Sequence, residues 1–190
     1  PLFWSNPNLR VLGNPRNLSG LSDAEVGQML GGAFSAWNVP GTRAGSSFSQ
    51  SGSVTPGTDL DGVNKVYFSS AANRRLDWGV VAMTEVYYYV SSGEIAEADM
   101  VFNDHQFAFT ATEGDTGKSI GGKRAIFLQD VATHEAGHAY GLDHGLVNLS
   151  SLIYTAFSGQ FVPGKDDLTA IRTVYPSASG NGAITGRVMG

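Results

Sequence analysis

The chain of 190 residues has no cysteine and few charged side chains. Disulfides are therefore excluded, and the zero count fits a cytosolic protein and a bacterial secreted protein equally well. Charged residues make up 15% of the chain, and the net charge of -5 argues against nucleic acid as a partner, because no basic stripe is present to neutralise phosphates. No run of about 20 apolar residues appears, so the sequence predicts no membrane span.

The residues that are abundant indicate a globular, loop-rich protein. Apolar residues make up 42% of the chain, and there are 25 glycines. This composition and length are typical of one well-cored domain and not of a disordered chain. The start at Pro1, without methionine or a signal peptide, indicates a mature or trimmed form.

Three of the four histidines lie in one short stretch together with a glutamate. On a helix, His134 and His138 lie one turn apart on the same face, so both imidazoles can reach one metal ion. Gly141 can take the backbone conformation that ends a helix and lets His144 return as a third ligand. Three imidazoles around zinc leave a fourth position open for water, as in catalytic sites. Glu135 would project toward that water.

The short form of this motif occurs in unrelated chains as two surface histidines on a helix, but the extended form is much more specific. With Gly141 and His144 included, it resembles the signature of the metzincin zinc peptidases. Its Gly-Leu-Asp-His end and the flanking segments look most like the matrixin branch, especially its bacterial members. The resemblance implies a zinc endopeptidase that hydrolyses peptide bonds in proteins through a metal-activated water, with Glu135 as general base.

The resemblance also implies a protein that is secreted or otherwise extracytoplasmic, acts as a monomer on protein or peptide substrates, and holds one catalytic zinc. Many matrixins bind a second, structural zinc through three further histidines and an aspartate, but only His105 remains here, so we do not expect that site. His105 is more simply a loop residue. Binding of a structural calcium ion by Asp99, Asn103, Asp104 or Asp115 is an open alternative.

The expected fold is the α+β architecture of metzincins. It comprises a twisted, mixed but mostly parallel sheet with two long helices, an active-site cleft, and a small C-terminal subdomain with a short helix. We expect residues 1–176 to form the catalytic domain. Residues 177–190 are expected to be a linker and the start of a following β-sandwich domain.

Local patterns predict the individual elements. A capping box at Ser22–Glu25 begins a helix whose apolar residues recur at helical spacing until Pro40. A turn at Ser91–Gly93 joins two strands, and in the second strand apolar residues alternate with mostly polar ones, which indicates one buried face. The motif helix is predicted to begin near Ala125. The other predicted elements are strands at Leu9–Leu12, Ser46–Ser49, Val63–Phe68 and Val80–Val90, and a last helix at Asp166–Tyr175.

Two loop regions carry further predictions. We interpret three residues of the first loop as turn residues in preference to calcium ligands, because an Asp-Gly pair is first of all a turn signal. They are Asp59, Asp61 and Asn64. A short apolar stretch after the second hairpin strand is interpreted as a sheet edge to which an extended peptide substrate would add as a strand. Its residues are Phe107, Ala108, Phe109 and Thr110.

Metzincins also place a methionine beneath the zinc, and the matching segment here has none. Leu152 takes that position when counted from the third histidine, and Ile153 takes it when the Leu-x-Tyr pattern of matrixins is matched. An aliphatic side chain of similar volume can fill the space. Tyr154 would lie near zinc if the chain followed astacins, or in a pocket wall if it followed matrixins. Phe157 and Phe161 are further candidates for that wall.

Two alternatives to an active peptidase remain at this point. One is a catalytically silent zinc or peptide-binding domain, in which the missing methionine marks lost activity. The intact Glu135 argues against it. The other is a structural zinc scaffold, which predicts a fourth protein ligand instead of water.

Overall fold

The computed structural model describes residues 1–57, 60–69, 76–144 and 161–177. Its main sheet has five strands in the order β2-β1-β3-β5-β4, and all neighbours are parallel except β4 and β5, which are antiparallel. A smaller sheet has the order β6-β8-β7. The main strands are β1 (Asn8–Gly13), β2 (Gly45–Gln50), β3 (Asn64–Phe68), β4 (Ala82–Tyr88) and β5 (Ile95–Phe102). The smaller sheet contains β6 (Phe107–Thr110), β7 (Ser119–Ile120) and β8 (Lys123–Phe127).

Three α-helices lie within the described residues: α1 (Asp23–Ser35), α2 (Leu128–Ala139) and α3 (Lys165–Val174). The sheet is mostly parallel and the class is mixed α and β, so the predicted fold class is confirmed. The predicted strands appear within a few residues of their expected positions. No helix in the described parts of the chain combines the length and apolar character that crossing a bilayer requires.

Helix α1 begins with the predicted capping box. The Ser22 hydroxyl accepts a hydrogen bond from the Glu25 amide, and the Glu25 carboxylate accepts one from the Ser22 amide at 2.8 Å. Its buried face packs on the sheet and against α2, and just beyond its end Trp37 donates its indole N–H to the carbonyl of Thr133 at 2.9 Å. The buried face contains Val26, Met29, Leu30, Ala33 and Phe34.

The predicted start of the motif helix near Ala125 is wrong, because this residue lies in a short strand that precedes the helix. Residues from Lys123 to Phe127 form β8, which pairs with β6 and β7, and α2 begins at Leu128. Gly121 and Gly122, both at positive φ, turn the chain from β7 into β8. The apolar residues before α2 are therefore buried as strand residues and not as a helix flank.

The polar side of β5 is buried as well, which corrects the expectation of one buried face. Glu97 and Asp99 are fully buried. Glu97 accepts hydrogen bonds from the amides of Gly62 and Val63, and Asp99 accepts one from the amide of Lys65 at 2.9 Å. The segment leading into β3 thus covers this face, and its amides donate to one oxygen of each carboxylate, Glu97 Oε2 and Asp99 Oδ1.

The Asp-Gly segment itself is a turn. The carboxylate of Asp61 accepts the amide of Val63 at 3.1 Å, and Gly62 has a φ of 81°. A second oxygen of Asp61 lies 2.9 Å from the Lys65 ammonium. These contacts support the turn interpretation, while Asp59 lies outside the described residues.

Asp99 is expected to make stability depend on pH. Burial raises the pKa of its carboxyl to about 7, partly offset by the hydrogen bond from the Lys65 amide. Because the folded-state pKa lies above the unfolded value, the protonated carboxyl stabilises the fold. This contribution to stability is complete below about pH 4 and is lost as pH rises through about 7. We expect Asp99→Asn to flatten this decline and to be more stable than wild type at pH 8 by on the order of 2 kcal/mol.

Urea unfolding of the two proteins between pH 4 and pH 8 measures the effect, with Asp77→Asn on an exposed aspartate as control. A variant less stable than wild type at pH 8 would mean that the ionised Asp99 carboxylate is needed beside Lys65.

Candidate metal centre and its cleft

Helix α2 directs one side toward the core and another toward a cleft. Its core side is apolar, and Asp130 in its first turn suits the positive end of the helix dipole. His134, Glu135 and His138 line the cleft. Helical spacing places the two histidines one turn apart, as the sequence predicts.

Gly141 ends this helix in the left-handed conformation, with a φ of 81°. Its amide donates to the carbonyl of His138 at 2.8 Å, and the amide of Leu142 donates to that of Gly137 at 3.2 Å. A Cβ at this position would lie 2.8 Å from the backbone oxygen of Leu2, so the site excludes any larger residue without rearrangement. The turn reverses the chain and brings His144 back to the helix.

The three imidazoles meet in an almost regular triangle. The Nε2 atoms of His134, His138 and His144 lie 3.2 Å from one another in each of the three pairs. Zinc–nitrogen bonds of about 2.0–2.1 Å in a tetrahedral arrangement place ligand atoms about 3.3–3.4 Å apart. The three side chains therefore fit a single zinc ion without rearrangement.

The surroundings of two of these histidines favour the neutral imidazole form that binds a metal ion. Burial lowers the pKa of both His138 and His144, which favours the neutral imidazoles that metals bind. His138 Nδ1 lies 2.8 Å from the carbonyl oxygen of Leu142, which fixes the tautomer with its proton on Nδ1 and leaves Nε2 as the ligand. The helix-ending turn therefore orients His138 as well as returning His144.

Glu135 lies beside the triangle and is 5% exposed. Burial raises the pKa of its carboxyl to about 7, and the hydrogen bond from Thr84 opposes the shift. The Thr84 hydroxyl lies 2.7 Å from Glu135 Oε2 and 3.1 Å from the Glu135 carbonyl oxygen. No sequence pattern indicates Thr84, because one threonine in a strand rich in Val, Thr and Tyr is not distinguished from its neighbours.

The cleft has a volume of about 1210 Å³, and one wall is β4. Asn103 donates its amide to the carbonyl of Val81 at 2.8 Å, which makes these two residues a hydrogen-bonded pair of the antiparallel ladder. Because such pairs alternate along a strand, Ala82, Thr84 and Val86 direct their N–H and C=O groups away from β5. Among the described strands, β4 has a neighbour on one side only, so these three residues lie on a free edge of the main sheet, and they also line the cleft.

The end of α2 is fixed to three distant parts of the chain. Trp4 donates its indole N–H to the carbonyl of Ala139 at 2.7 Å and its amide to the Tyr175 hydroxyl at 3.1 Å. That hydroxyl in turn donates to the carbonyl of Tyr140 at 2.8 Å, and the Tyr140 hydroxyl donates to the carbonyl of Gly45 at 2.7 Å. The N-terminal segment, β2 and α3 thus all hold the helix end from which the metal-site turn departs.

The predicted sheet edge at Phe107–Thr110 is not the edge of the main sheet. The stretch forms β6 at one end of the smaller sheet, with Ala108, Phe109 and Thr110 buried. Only Phe107 of the four lines the cleft. The apolar character of these residues reflects burial, and the free edge beside the histidines belongs to β4.

The other predicted pocket residues divide into two groups. Phe161 packs edge-on against Phe127, with ring centroids 5.8 Å apart, and is not among the described residues that line the cleft. Its contacts are those of a core residue. The remaining predictions lie outside the described residues: Leu152, Ile153, Tyr154 and Phe157.

The residues that were considered as calcium ligands make contacts with other groups of the protein. Asp104 accepts hydrogen bonds from the Leu18 amide and the Ser19 hydroxyl, and Asp115 pairs with Lys118 at 2.6 Å. His105 is exposed in a loop. Within the described ranges, only the three motif histidines bring three ligand atoms of His, Cys, Asp or Glu within 4.8 Å of one another.

Two comparisons with known proteins point in the same direction. A family model described as matrixin matches residues 9–176. The hatching enzyme of Paracentrotus lividus is 44% identical over 62 residues, which make up 30% of this chain and 10% of that protein. This second match therefore covers a minor part of both proteins.

Proposed function

Because the chain belongs to the matrixin family of metallopeptidases, we propose that it is a zinc-dependent endopeptidase that cleaves proteins. The observation that carries the proposal is the triangle of Nε2 atoms from His134, His138 and His144, with sides of 3.2 Å, on the wall of a large cleft. Three imidazoles leave one position of a tetrahedral zinc site for water, which is the pattern of catalytic and not structural zinc.

Glu135 is assigned the role of general base. The chemistry that a bound zinc supplies is Lewis-acid activation of a water molecule and of the scissile carbonyl. Glu135 lies next to His134 on the helix and lines the same cleft, so its carboxylate takes the proton of the attacking water and delivers it to the leaving amine. The chemistry requires no serine or cysteine nucleophile.

The free edge of β4 is assigned the role of substrate binding. Ala82, Thr84 and Val86 direct backbone N–H and C=O groups into the cleft, and an extended peptide can pair with them as an added strand. Since Thr84 contacts Glu135, a peptide bound in this way lies next to the general base. This assignment replaces the edge at β6 that was predicted from the sequence.

Metal removal tests the proposed function. Dialysis against a chelator is expected to lower the rate of casein or peptide cleavage about a hundredfold or more, because the Lewis acid is lost. Adding zinc should restore activity, and the restored protein should contain one zinc per chain. Cleavage that is insensitive to the chelator would contradict the proposal. Zinc and peptide binding without cleavage of any substrate would instead support a catalytically silent domain.

We extend the proposal to the organisation of the chain. Residues 1–176 are assigned to the catalytic domain and residues 177–190 to a linker and the start of a β-sandwich domain, and the family match ending at residue 176 supports this division. An extracytoplasmic location and action as a monomer follow from the resemblance to bacterial matrixins.

A further inference from the structure

The contact between Thr84 and Glu135 joins the free strand edge to the candidate general base. Thr84 Oγ1 lies 2.7 Å from Glu135 Oε2 and 3.1 Å from the carbonyl oxygen of the same residue. The hydroxyl has one proton, and the shorter distance and the negative charge of the carboxylate favour Oε2 as its acceptor. The contact connects residues that are far apart in the sequence.

Glu135 needs such a contact, because a glutamate side chain has several rotatable bonds. A carboxylate that serves as a base must present one oxygen to the reacting water in a narrow range of positions. A hydrogen bond to Oε2 restricts rotation about the last side-chain bond and leaves Oε1 for the water. Among the described residues, Thr84 is the hydrogen-bond partner of this carboxylate.

The backbone of Thr84 has a separate role. Its N–H and C=O groups point away from β5, toward the free edge of the sheet. A peptide that adds to this edge therefore pairs with the backbone of the residue whose side chain holds Glu135. One residue thus sets both the position of the bound strand and the orientation of the base.

On the basis of the proposed peptidase function, we propose that Thr84 is a positioning residue, whose hydroxyl orients Glu135 for proton transfer. It contributes through the turnover step and not through substrate affinity or metal binding. Valine at this position keeps the shape of the side chain and removes the hydroxyl, whereas serine keeps the hydroxyl and removes a methyl group.

The test compares wild type, Thr84→Val and Thr84→Ser in the zinc-loaded protein. We expect Thr84→Val to lower kcat about tenfold, a fraction of the full effect of a general base, with KM within about twofold of wild type. Zinc content should stay at the wild-type value. Thr84→Ser should recover most of the lost kcat, because it restores the donor.

Thr173→Val is a matched control. Its hydroxyl donates to the carbonyl of Thr169 at 2.8 Å on an exposed face of α3, and it does not line the cleft. It should leave kcat and KM unchanged, so that a general cost of replacing threonine by valine is excluded.

Three results would overturn the inference. The first is an unchanged kcat in Thr84→Val. The second is an equal loss in Thr84→Val and Thr84→Ser, which would indicate packing and not the hydroxyl. The third is a loss that appears in KM or zinc content, which would assign Thr84 to substrate or metal binding. Failure of the proposed function is distinguishable, because wild type would then show no zinc-dependent cleavage at all.

Discussion

Glu135→Gln is expected to lower kcat/KM about a thousandfold while the protein keeps its zinc, since general acid–base groups contribute roughly 10²–10⁴-fold. Glutamine has nearly the same shape as glutamate and can still accept the hydrogen bond from Thr84 through its amide oxygen. It cannot take a proton from water at neutral pH. The three histidines are untouched, so metal content separates loss of the base from loss of the site.

The measurement is cleavage of a quenched fluorescent peptide together with zinc analysis and thermal unfolding. Glu113→Gln makes the same chemical change at an exposed position outside the cleft, and it should behave like wild type. Glu135→Gln with a tenth or more of wild-type activity would show that another group accepts the proton. A variant without zinc would place Glu135 in metal binding.

The second large effect is expected from Gly141→Ala. Two costs combine at this position: a φ of 81°, which costs about 1 kcal/mol for alanine, and a Cβ that would lie 2.8 Å from the Leu2 oxygen. The contact atom is backbone, so the N-terminal segment or the turn must move. We expect the free energy of unfolding to fall by about 2–4 kcal/mol. Zinc affinity should fall at least about tenfold, because the turn orients His138 and His144.

Gly20→Ala separates the two costs. Gly20 has the same φ of 81°, and a Cβ there would meet nothing within 4 Å. Chemical denaturation should therefore show a loss of only about 1 kcal/mol for this control, with unchanged zinc affinity. Equal losses in the two variants would show that the contact with Leu2 is relieved without effect on the metal site.

The features that the sequence predicted well depend on residues close together in the chain. The spacing of His134 and His138 on one helix, the reversal at Gly141 and the capping box of α1 are each set within a few residues. Helical periodicity likewise located α1 and α3. Local geometry decides these features, so local patterns are sufficient to predict them.

The features that could not be predicted depend on strand pairing between distant residues. Residues Lys123–Phe127 have an apolar pattern that fits a helix start, and only pairing with β6 makes them a strand. Glu97 and Asp99 alternate as an exposed face would, and the chain segment at Gly62–Lys65 buries them. Thr84 likewise gains its importance only because β4 is the sheet edge that lies against α2.

The hydrogen bond from Trp37 to Thr133 also has an optical consequence. The indole of Trp37 is fully buried and contacts the residue just before His134, whereas Trp78 is 90% exposed and Trp4 is half-buried. An aqueous quencher reaches the exposed indole of Trp78 and not the buried indole of Trp37, so the fluorescence of these two can be separated, while the half-buried Trp4, which contacts Ala139 of the same helix, is a third emitter. The protein thus carries an intrinsic fluorophore against the backbone of helix α2, and the state of that helix can be followed without an added label.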